Sequence, residues 1–280
     1  MIRKLFVTDI DETLSVGEAV SLEVQEACLR LQKGGWDIMI ATGRTFGTSK
    51  NHMRAASATK PAILYDGCRI MSLSGKEIWS SLLDVSAADK LLDAIWNMPF
   101  ELQVTGDEVI YCRESDEETV RFYRQAGAPV RYIEAPCAHE AVPVYRIGLW
   151  IEPEKLPAVE SEIKKLFGDV FEVTAGGAAF LDILPKGVSK GSALSRFVSS
   201  LSKCPEVIVA AGDHNNDLAM LRFADFSAAP PNASPSVLSA ADFIMPMACE
   251  NGICALIDHI LSPEFELRRN RGECYRSERS

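Results

Sequence analysis

A short stretch near the N-terminus places two carboxylates and a hydroxyl at alternate positions. In KLFVTDIDETLS, residues 4–15, an apolar run ends at Asp9, and Asp11 and Thr13 follow. A carboxylate at the end of a buried strand can act as a nucleophile, and a second carboxylate two residues further on can reach a leaving oxygen from a loop. The spacing predicts that Asp9 attacks a phosphoryl group. Asp11 would protonate the leaving alcohol and then activate water.

Two later strand ends carry polar groups as well. IATGR ends in Thr42, Gly43 and Arg44, and EVIVAAGD ends in Asp213. The carboxyl ends of parallel strands share one edge of a sheet, where ligands bind. Asp9 and Asp213 would repel each other there unless a cation lies between them, and oxygen ligands with room for water and phosphate suit Mg²⁺. We therefore expect a magnesium ion in this cleft.

The same edge offers groups that bind phosphate. The Thr42 hydroxyl and the Gly43 amide can donate hydrogen bonds to phosphoryl oxygens. Lys190 begins the predicted helix KGSALSRF, where a cation and a helix N-terminus together favour an anion. Arg44 is expected to contact the substrate phosphate or to form a salt bridge. Asp182 is expected to hydrogen-bond a polyol or to be an ordinary polar strand residue.

Apolar runs that alternate with amphipathic segments position these groups. KLFVTD, WDIMIATG and AILYDG are predicted as three buried strands, and SLEVQEACLRLQKGG as a helix between the first two. EVIVAAGD, FSAAP and DFIMP continue the strand pattern near the C-terminus, with helices between them. Continuous apolar strands that alternate with helices indicate an α/β fold with a Rossmann-like parallel sheet covered on both faces.

The middle of the chain has a different pattern. From about residue 82 the sequence predicts a mixed α+β unit, which includes a hairpin in ELQVTGDEVIYC. We therefore expect a core of residues 1–81 and 183–265, with residues 82–182 inserted between its two parts as a second domain. Residues 266–280 are polar, have no apolar face, and are expected to be a frayed or disordered tail.

The amino-acid composition limits the kinds of partner that this protein can bind. The 280 residues include 29 Lys+Arg and 39 Asp+Glu, which gives a net charge of -10. This argues against nucleic-acid or membrane-surface binding, but not against a small phosphorylated metabolite. No apolar run approaches the roughly 20 residues of a membrane span. The eight cysteines form no CxxC pair, which indicates free thiols in a reducing cytoplasm and no zinc site. A monomer or weak homodimer is expected.

Four motifs occur in a fixed order. DIDET, IATGR, PKGVSKGSAL and GDHNND resemble the four motifs of the haloacid dehalogenase superfamily of phosphotransferases. The insert between the second and third motifs resembles the type-two cap of the Cof-type sugar-phosphatase branch. The resemblance covers about residues 3–262. Two residues depart from the pattern: Glu12 stands where the family usually has Gly, and Asp66 where the branch commonly has Asn.

The resemblance implies roles for the site residues. Asp9 would be the nucleophile, which forms an aspartyl-phosphate, and Asp11 the general acid/base. Mg²⁺ would be bound by Asp9, Asp213 and the main-chain carbonyl of Asp11. Three further residues would support the metal and Lys190 without themselves binding the metal: Thr13, Asn216 and Asp217. The implied activity is a Mg²⁺-dependent phosphatase for small sugar or polyol phosphates.

Two alternatives remain open at this point. A phosphosugar mutase would use cap arginines to hold a reoriented sugar phosphate, and the insert offers five arginines for this: Arg113, Arg121, Arg124, Arg131 and Arg146. A phospho-sugar sensor would bind without turnover. The Asp9–Asp11 pair argues against a sensor, because a binding protein has no use for a general acid/base.

Overall fold

The computed structural model describes residues 4–263 and residue 265. Its strands are β1 (Lys4–Thr8), β2 (Trp36–Ile40), β3 (Ala62–Leu64), β4 (Arg69–Met71), β5 (Glu77–Ser80), β6 (Glu101–Thr105), β7 (Ile110–Cys112), β8 (Val130–Tyr132), β9 (Arg146–Trp150), β10 (Phe171–Ala175), β11 (Phe180–Pro185), β12 (Val207–Ala211), β13 (Phe226–Ala229) and β14 (Phe243–Ile244). Its α-helices are α1 (Leu22–Lys33), α2 (Phe46–Ala55), α3 (Val85–Ile95), α4 (Glu117–Gln125), α5 (Leu156–Phe167), α6 (Lys190–Ser200), α7 (Leu218–Phe223), α8 (Pro235–Ala240) and α9 (Gly252–Leu261).

A parallel sheet of five strands forms the core, in the order β14-β13-β12-β1-β2. Alternate side chains of a strand point to opposite faces. Phe6 of β1 therefore packs in the layer that contains α1 and α9 residues, whereas Leu5 and Val7 pack with α6 and α7 residues. Helices cover both faces, as the continuous apolar runs predict, and the α/β fold class is confirmed. β1 lies between β12 and β2, so Asp9 leaves the sheet at its centre.

The structure corrects the prediction that AILYDG forms a third strand of the parallel sheet. β3 is joined to the core sheet by a single parallel bridge between Ala41 and Ile63, and its main partner is antiparallel β4. The chain reverses between β3 and β4 at Tyr65–Gly67, where φ is 51° at Tyr65, 54° at Asp66 and 109° at Gly67. Three successive positive φ values turn the backbone back on itself. AILYDG therefore begins a small antiparallel sheet, β3-β4-β5.

The inserted unit contains a six-stranded sheet in the order β10-β11-β9-β6-β7-β8. β6 and β7 pair in antiparallel fashion, as expected of the predicted hairpin, while β7 and β8 run parallel. The predicted division at residues 82 and 183 stays a prediction. Its second boundary falls inside β11, which pairs with β10 as far as Pro185. The predicted tail, residues 266–280, lies outside the described residues.

Two general features accompany this fold. Within the described part of the chain, no helix combines the length and the apolar character needed to cross a bilayer. The seven cysteines in this part are free thiols.

Candidate active site

The cleft is built around a buried ion pair between the first strand and α6. The Asp9 amide donates to the Ala211 carbonyl at 3.0 Å, which extends the β1–β12 pairing by one residue. Its carboxylate accepts a hydrogen bond from Lys190 Nζ at 2.8 Å. Lys190 is the first residue of α6 and is 1 % exposed. Its Nζ also donates to Asp217 Oδ1 at 2.8 Å.

The loop after β12 is fixed by its own polar groups. Asp217 Oδ2 accepts hydrogen bonds from the backbone amides of Asp213 at 3.0 Å and His214 at 3.2 Å. Thr13 Oγ1 donates to Asp213 Oδ1 at 3.0 Å. Asp213 is therefore oriented from the first strand's loop and from its own loop. Asp217 contacts Lys190 and backbone amides with its two oxygens.

Three carboxylates converge beside Lys190. Oxygens of Asp9, Asp213 and Asp217 lie within 4.8 Å of one another, and all three residues are buried. Burial raises the pKa of Asp9, and the neighbouring carboxylates of Asp217 and Asp213 raise it further. Burial and Asp217 likewise raise the pKa of Asp213 to about 7.

This group of residues fits a divalent cation. Burial alone would lower the pKa of Lys190, but the Asp217 and Asp9 carboxylates raise it overall, so the lysine is charged. One lysine cannot balance three carboxylates. The all-oxygen donor set and the excess negative charge match what Mg²⁺ requires of a protein site.

Asp11 and Arg44 form a pair at the cavity edge. Arg44 donates to the Asp11 carboxylate from Nε at 3.0 Å and from Nη2 at 2.6 Å. Arg44 Nη1 also donates to Glu18 at 2.8 Å. Of the two expectations for Arg44, the salt bridge is therefore the one present. The Asp11 side chain is 51 % exposed, and its carboxylate lies outside the group formed by Asp9, Asp213 and Asp217.

The end of β2 lies against a second set of charges. Thr42 is buried; its Oγ1 accepts from the Arg44 amide at 3.2 Å, and its own amide donates to the Ile63 carbonyl at 2.9 Å. A Cβ on Gly43 would lie 2.8 Å from Asp66 Oδ2. Only glycine leaves room for this carboxylate, and the glycine backbone is thereby brought next to the cleft.

Arg146 contacts two other buried charged residues, Asp66 and Asp182, and the sequence did not predict these contacts. Arg146 Nη1, from the insert, lies 2.7 Å from Asp66 Oδ2 and 3.2 Å from Asp182 Oδ1. Asn216 Nδ2 donates to Asp66 Oδ1 at 2.8 Å. The predicted support of the metal and Lys190 by Asn216 stays a prediction. Burial raises the pKa of Asp182 to about 7, although Arg146 acts in the opposite direction. Asp66 and Asp182 stood out singly in the sequence, but only the fold shows that they share Arg146.

The two residues that depart from the family pattern, Glu12 and Asp66, share an unusual backbone conformation. Glu12 has φ 55° and Asp66 has φ 54°, which is the left-handed region. Glycine adopts this region at no steric cost and asparagine at a small one. Glycine and asparagine are the residues that the resemblance leads us to expect at these two positions. This chain therefore keeps the conformation with Glu12, a less suitable residue, and with Asp66, which tolerates it. Both carboxylates line the cavity.

A cavity of about 520 Å³ joins the core to the insert. Its core lining includes Asp9, Asp213 and Lys190, and its lining from the insert includes Phe122 and Phe180. Sequence reasoning missed both phenylalanines, because each is an ordinary apolar residue in an amphipathic element. The cavity size is within the range of small-molecule sites.

A second group of ligand-type side chains lies in the insert. Asp89, Cys137 and His139 have potential ligand atoms within 4.8 Å of one another, although the sequence predicts no zinc site. Asp89 Oδ1 accepts from the Ala138 amide at 2.7 Å, and Asp89 Oδ2 lies 2.9 Å from His139 Nδ1. These contacts join the turn Ala138–Ala141 to α3, and they account for the arrangement without an ion.

Known proteins share this sequence pattern and this architecture. Residues 6–257 match the profile of the haloacid dehalogenase-like hydrolases. A 5-amino-6-(5-phospho-D-ribitylamino)uracil phosphatase of Bacillus subtilis is 25% identical over 261 residues, which are 91% of this chain and 95% of the relative.

Solved structures share the same fold. A subclass IIB sugar phosphatase of that superfamily superposes with a TM-score of 0.78 at 21% identity, and covers 92% of this chain and 98% of its own. A haloacid dehalogenase-like hydrolase from Bacteroides thetaiotaomicron gives a TM-score of 0.78 at 23% identity over 92% of this chain and 99% of its own.

Proposed function

This chain belongs to the haloacid dehalogenase-like hydrolases, and on that premise we propose that it is a cytoplasmic, Mg²⁺-dependent phosphomonoester hydrolase. The observation that carries the proposal is the Asp9 carboxylate, which lies at the end of the central strand, 2.8 Å from the buried Lys190 and beside Asp213. The cavity volume of about 520 Å³ is within the range of small-molecule sites, and the Bacillus subtilis relative bears the name of a phosphatase for a small phosphate ester. Sugar or polyol phosphates are the proposed substrates.

The proposed reaction has two steps. An Asp9 oxygen attacks phosphorus, the bond from phosphorus to the leaving oxygen breaks, and Asp11 gives that oxygen its proton. Asp11 then accepts a proton from water while the water oxygen attacks phosphorus, which releases phosphate and regenerates the Asp9 carboxylate. Lys190, Thr42 and the Gly43 amide are proposed to bind the phosphoryl oxygens.

The metal and Arg44 complete the proposed site. Asp9, Asp213 and the main-chain carbonyl of Asp11 would hold Mg²⁺, which screens like charges between substrate and carboxylates and stabilises the transferring oxygens. Arg44 orients the Asp11 carboxylate through its two hydrogen bonds. The Asp11 carboxylate is proposed to act in proton transfer, while its main-chain carbonyl alone would contact the metal.

No contact in the cavity favours the alternatives. Of the five insert arginines, Arg146 alone lines the cavity among the described residues, and Asp66 and Asp182 already bind it. A mutase would need free arginines there to hold a second phosphate orientation. A sensor would not need Asp11 to be held by Arg44 at the edge of the cavity.

The test measures phosphate release from sugar phosphates, polyol phosphates and nucleotides, with Mg²⁺ or with chelator. We expect Mg²⁺-dependent release in the wild type, and a loss of at least about a thousandfold in Asp9→Asn, because the nucleophile is gone. Asp169→Asn makes the same change at an exposed position of the insert and serves as the matched control, with unchanged activity.

Three outcomes would contradict the proposal. Folded wild-type protein that releases no phosphate with Mg²⁺ would exclude a general phosphatase. An isomerised product without free phosphate would identify a mutase. A single metal-dependent burst without turnover would identify a sensor.

A further inference from the structure

A second groove lies where the chain passes between the core and the insert. Its volume is about 670 Å³, which is within the range of small-molecule sites. This connection groove is lined by residues that include Trp79, Ser81, Lys186, Gly187, Ser195 and Arg196. Among the described residues, none lines both this groove and the catalytic cavity. The connection groove is therefore a separate place at which a ligand could bind.

The groove includes both connections between the core and the insert. Ser81 lies between β5 and α3, and Lys186 and Gly187 lie between β11 and α6. The third side of the groove is α6 itself, which contributes Ser195 and Arg196. A ligand in the groove would contact both connections and the helix at once.

The lining of the groove is positively charged in an acidic protein. Its cations are Lys186 and Arg196, and no carboxylate lines it within the part of the chain that the structure describes, although the net charge of the chain is -10. Lys186 Nζ donates to the Gly168 carbonyl at 2.6 Å and lies 3.7 Å from Glu172, outside the lining. Glu172 thus offsets part of one charge. The charge of Arg196 makes the groove attractive to an anion.

Arg196 is oriented without the use of its hydrogen-bond donors. Its guanidinium carbon lies 4.5 Å from the centroid of the Trp79 ring, and Trp79 is half-buried and packs against the core. No described residue accepts a hydrogen bond from Arg196 or forms an ion pair with it. Stacking on the indole holds the guanidinium plane in place. A guanidinium that is held in this way with free donors is suited to bind two phosphate oxygens together.

Two hydroxyl groups of the lining are also free. Neither Ser81 Oγ nor Ser195 Oγ has a hydrogen-bond partner among the described residues, whereas Ser200 Oγ, which also lines the groove, donates to the Phe197 carbonyl at 2.7 Å. The groove thus offers a guanidinium, an ammonium and two hydroxyls as donors. This set of donors matches an oxyanion with several negatively charged oxygens.

We propose that the connection groove is a second binding site, which takes a small metabolite that carries a phosphate group. Arg196, Ser81 and Ser195 donate to the phosphate oxygens, and Lys186 supplies a second positive charge. The bound phosphate thereby links the two connections of the insert to α6. The same helix places Lys190 in the catalytic cavity, about 9 Å from Arg196 along the helix axis.

Inorganic pyrophosphate is the probe, and isothermal titration calorimetry in the presence of a chelator measures its binding. Without Mg²⁺, the converging carboxylates of the catalytic cavity repel the probe. We expect one site with a Kd below about 1 mM. Arg196→Gln should weaken binding at least about tenfold, because it removes a charge-assisted contact. Arg121→Gln removes the same charge at an exposed position of the insert outside both cavities and should leave the Kd unchanged.

A second variant tests the site without changing its charge. Ser195→Ala leaves the stacking of Arg196 on Trp79 in place and should weaken binding about threefold, since it removes one hydrogen bond. Circular dichroism spectra that match the wild type would show that each variant is folded.

Amide hydrogen exchange locates the bound probe. Pyrophosphate should slow exchange at least about threefold in peptides that span residues 79–84 and 186–196, because binding stabilises the segments that it contacts. Arg196→Gln should abolish this protection. Exchange in residues 42–48, next to the catalytic cavity, should be unchanged.

Three results would overturn the inference. These are no saturable binding at about 1 mM pyrophosphate, an equal Kd for the wild type and both groove variants, and protection of residues 42–48 in place of the two connections. The last result would assign the anion to the catalytic cavity. None of these measurements requires the release of phosphate from an ester, so they are independent of the proposed phosphatase function.

Discussion

Two buried cations, Lys190 and Arg146, lie among five buried carboxylates in the cleft. The carboxylates are those of Asp9, Asp66, Asp182, Asp213 and Asp217. The pKa values of Asp9, Asp182 and Asp213 are all raised, with burial as the largest cause. Protons or a divalent cation must therefore neutralise part of this charge. At the scale of single residues, the site is a binder of positive charge before any substrate arrives.

Asp182 makes this charge balance measurable. Burial raises its pKa from an ordinary 3.8 to about 7, so between these values the folded state holds a proton that the unfolded state releases. The contribution of Asp182 to stability is therefore full below about pH 4 and is lost as the pH rises through 7. Asparagine resembles the neutral acid. We expect the free energy of unfolding of the wild type, minus that of Asp182→Asn, to fall between pH 5 and pH 8.

Urea denaturation in the presence of a chelator measures this difference. Asp169→Asn, an exposed carboxyl in the insert, is the control, and its difference from the wild type should not vary over the same range. If the difference for Asp182→Asn instead stays constant between pH 5 and pH 8, Asp182 is ionised in the folded state throughout this range, and its pairing with Arg146 outweighs burial.

At the scale of elements, the sequence predicts strands better than it predicts contacts between them. β1, β2 and β12 are apolar on both faces, and such runs can be recognised without a partner. The polar residues at their ends then follow from the parallel arrangement. The β4–β5 hairpin has no such run. The reversal at Tyr65–Gly67 uses Tyr65, which is not typical of positive φ, next to Asp66 and Gly67.

Pairs of side chains distant in sequence could not be predicted either. Arg44 binds Asp11 across 33 positions, and Asn216 binds Asp66 across 150. Each of these side chains had several possible partners at the same sheet edge. The choice among them depends on ångström-scale placement, which apolar periodicity does not determine.

The N-terminus of α6 gives a prediction at this scale. Ser189 Oγ accepts from the Ser192 amide at 3.1 Å, and Ser192 Oγ accepts from the Ser189 amide at 2.9 Å. Lys190 directly follows Ser189, the first residue of this capping box. Ser189→Ala removes half of it, and the free energy of unfolding should fall by about 1 kcal/mol.

Ser200→Ala at the exposed C-terminal end of the same helix is the matched control, with a change within about 0.5 kcal/mol. Chemical denaturation of both variants provides the measurement. Equal stability of Ser189→Ala and the wild type would mean that packing alone, and not the capping box, determines where α6 begins.

At the scale of the whole molecule, the β6–β7 turn of the insert contacts the core directly. Glu108 in this turn accepts hydrogen bonds from the Phe46 amide at 3.2 Å and the Gly47 amide at 2.7 Å. These are the first two residues of α2, whose amides have no partner within the helix. Tyr65 OH also donates to Glu108 at 2.9 Å. A carboxylate of the insert thus caps a core helix next to the cavity.

This contact is expected to hold the insert closed over the cleft. Closure excludes water from the reacting groups, so its loss should matter for activity as well as for structure. Glu108→Ala should speed amide hydrogen exchange in the first turn of α2 about fivefold, because charge-assisted hydrogen bonds contribute on the order of 1 kcal/mol even where partly exposed. Exchange measured by mass spectrometry on peptides that span residues 46–55 reports this directly.

Glu114→Ala is the matched control for this prediction, since Glu114 is an exposed acid of the same unit. It should leave exchange in α2 unchanged. If Glu108→Ala also leaves it unchanged, α2 is held by its own cap at Thr45, and the insert must be positioned by other contacts. The stacked rings of Tyr65 and Tyr145, 5.0 Å apart, would then be the next contact to remove. Faster exchange together with a lower kcat/KM would instead show that closure of the insert and catalysis depend on the same carboxylate.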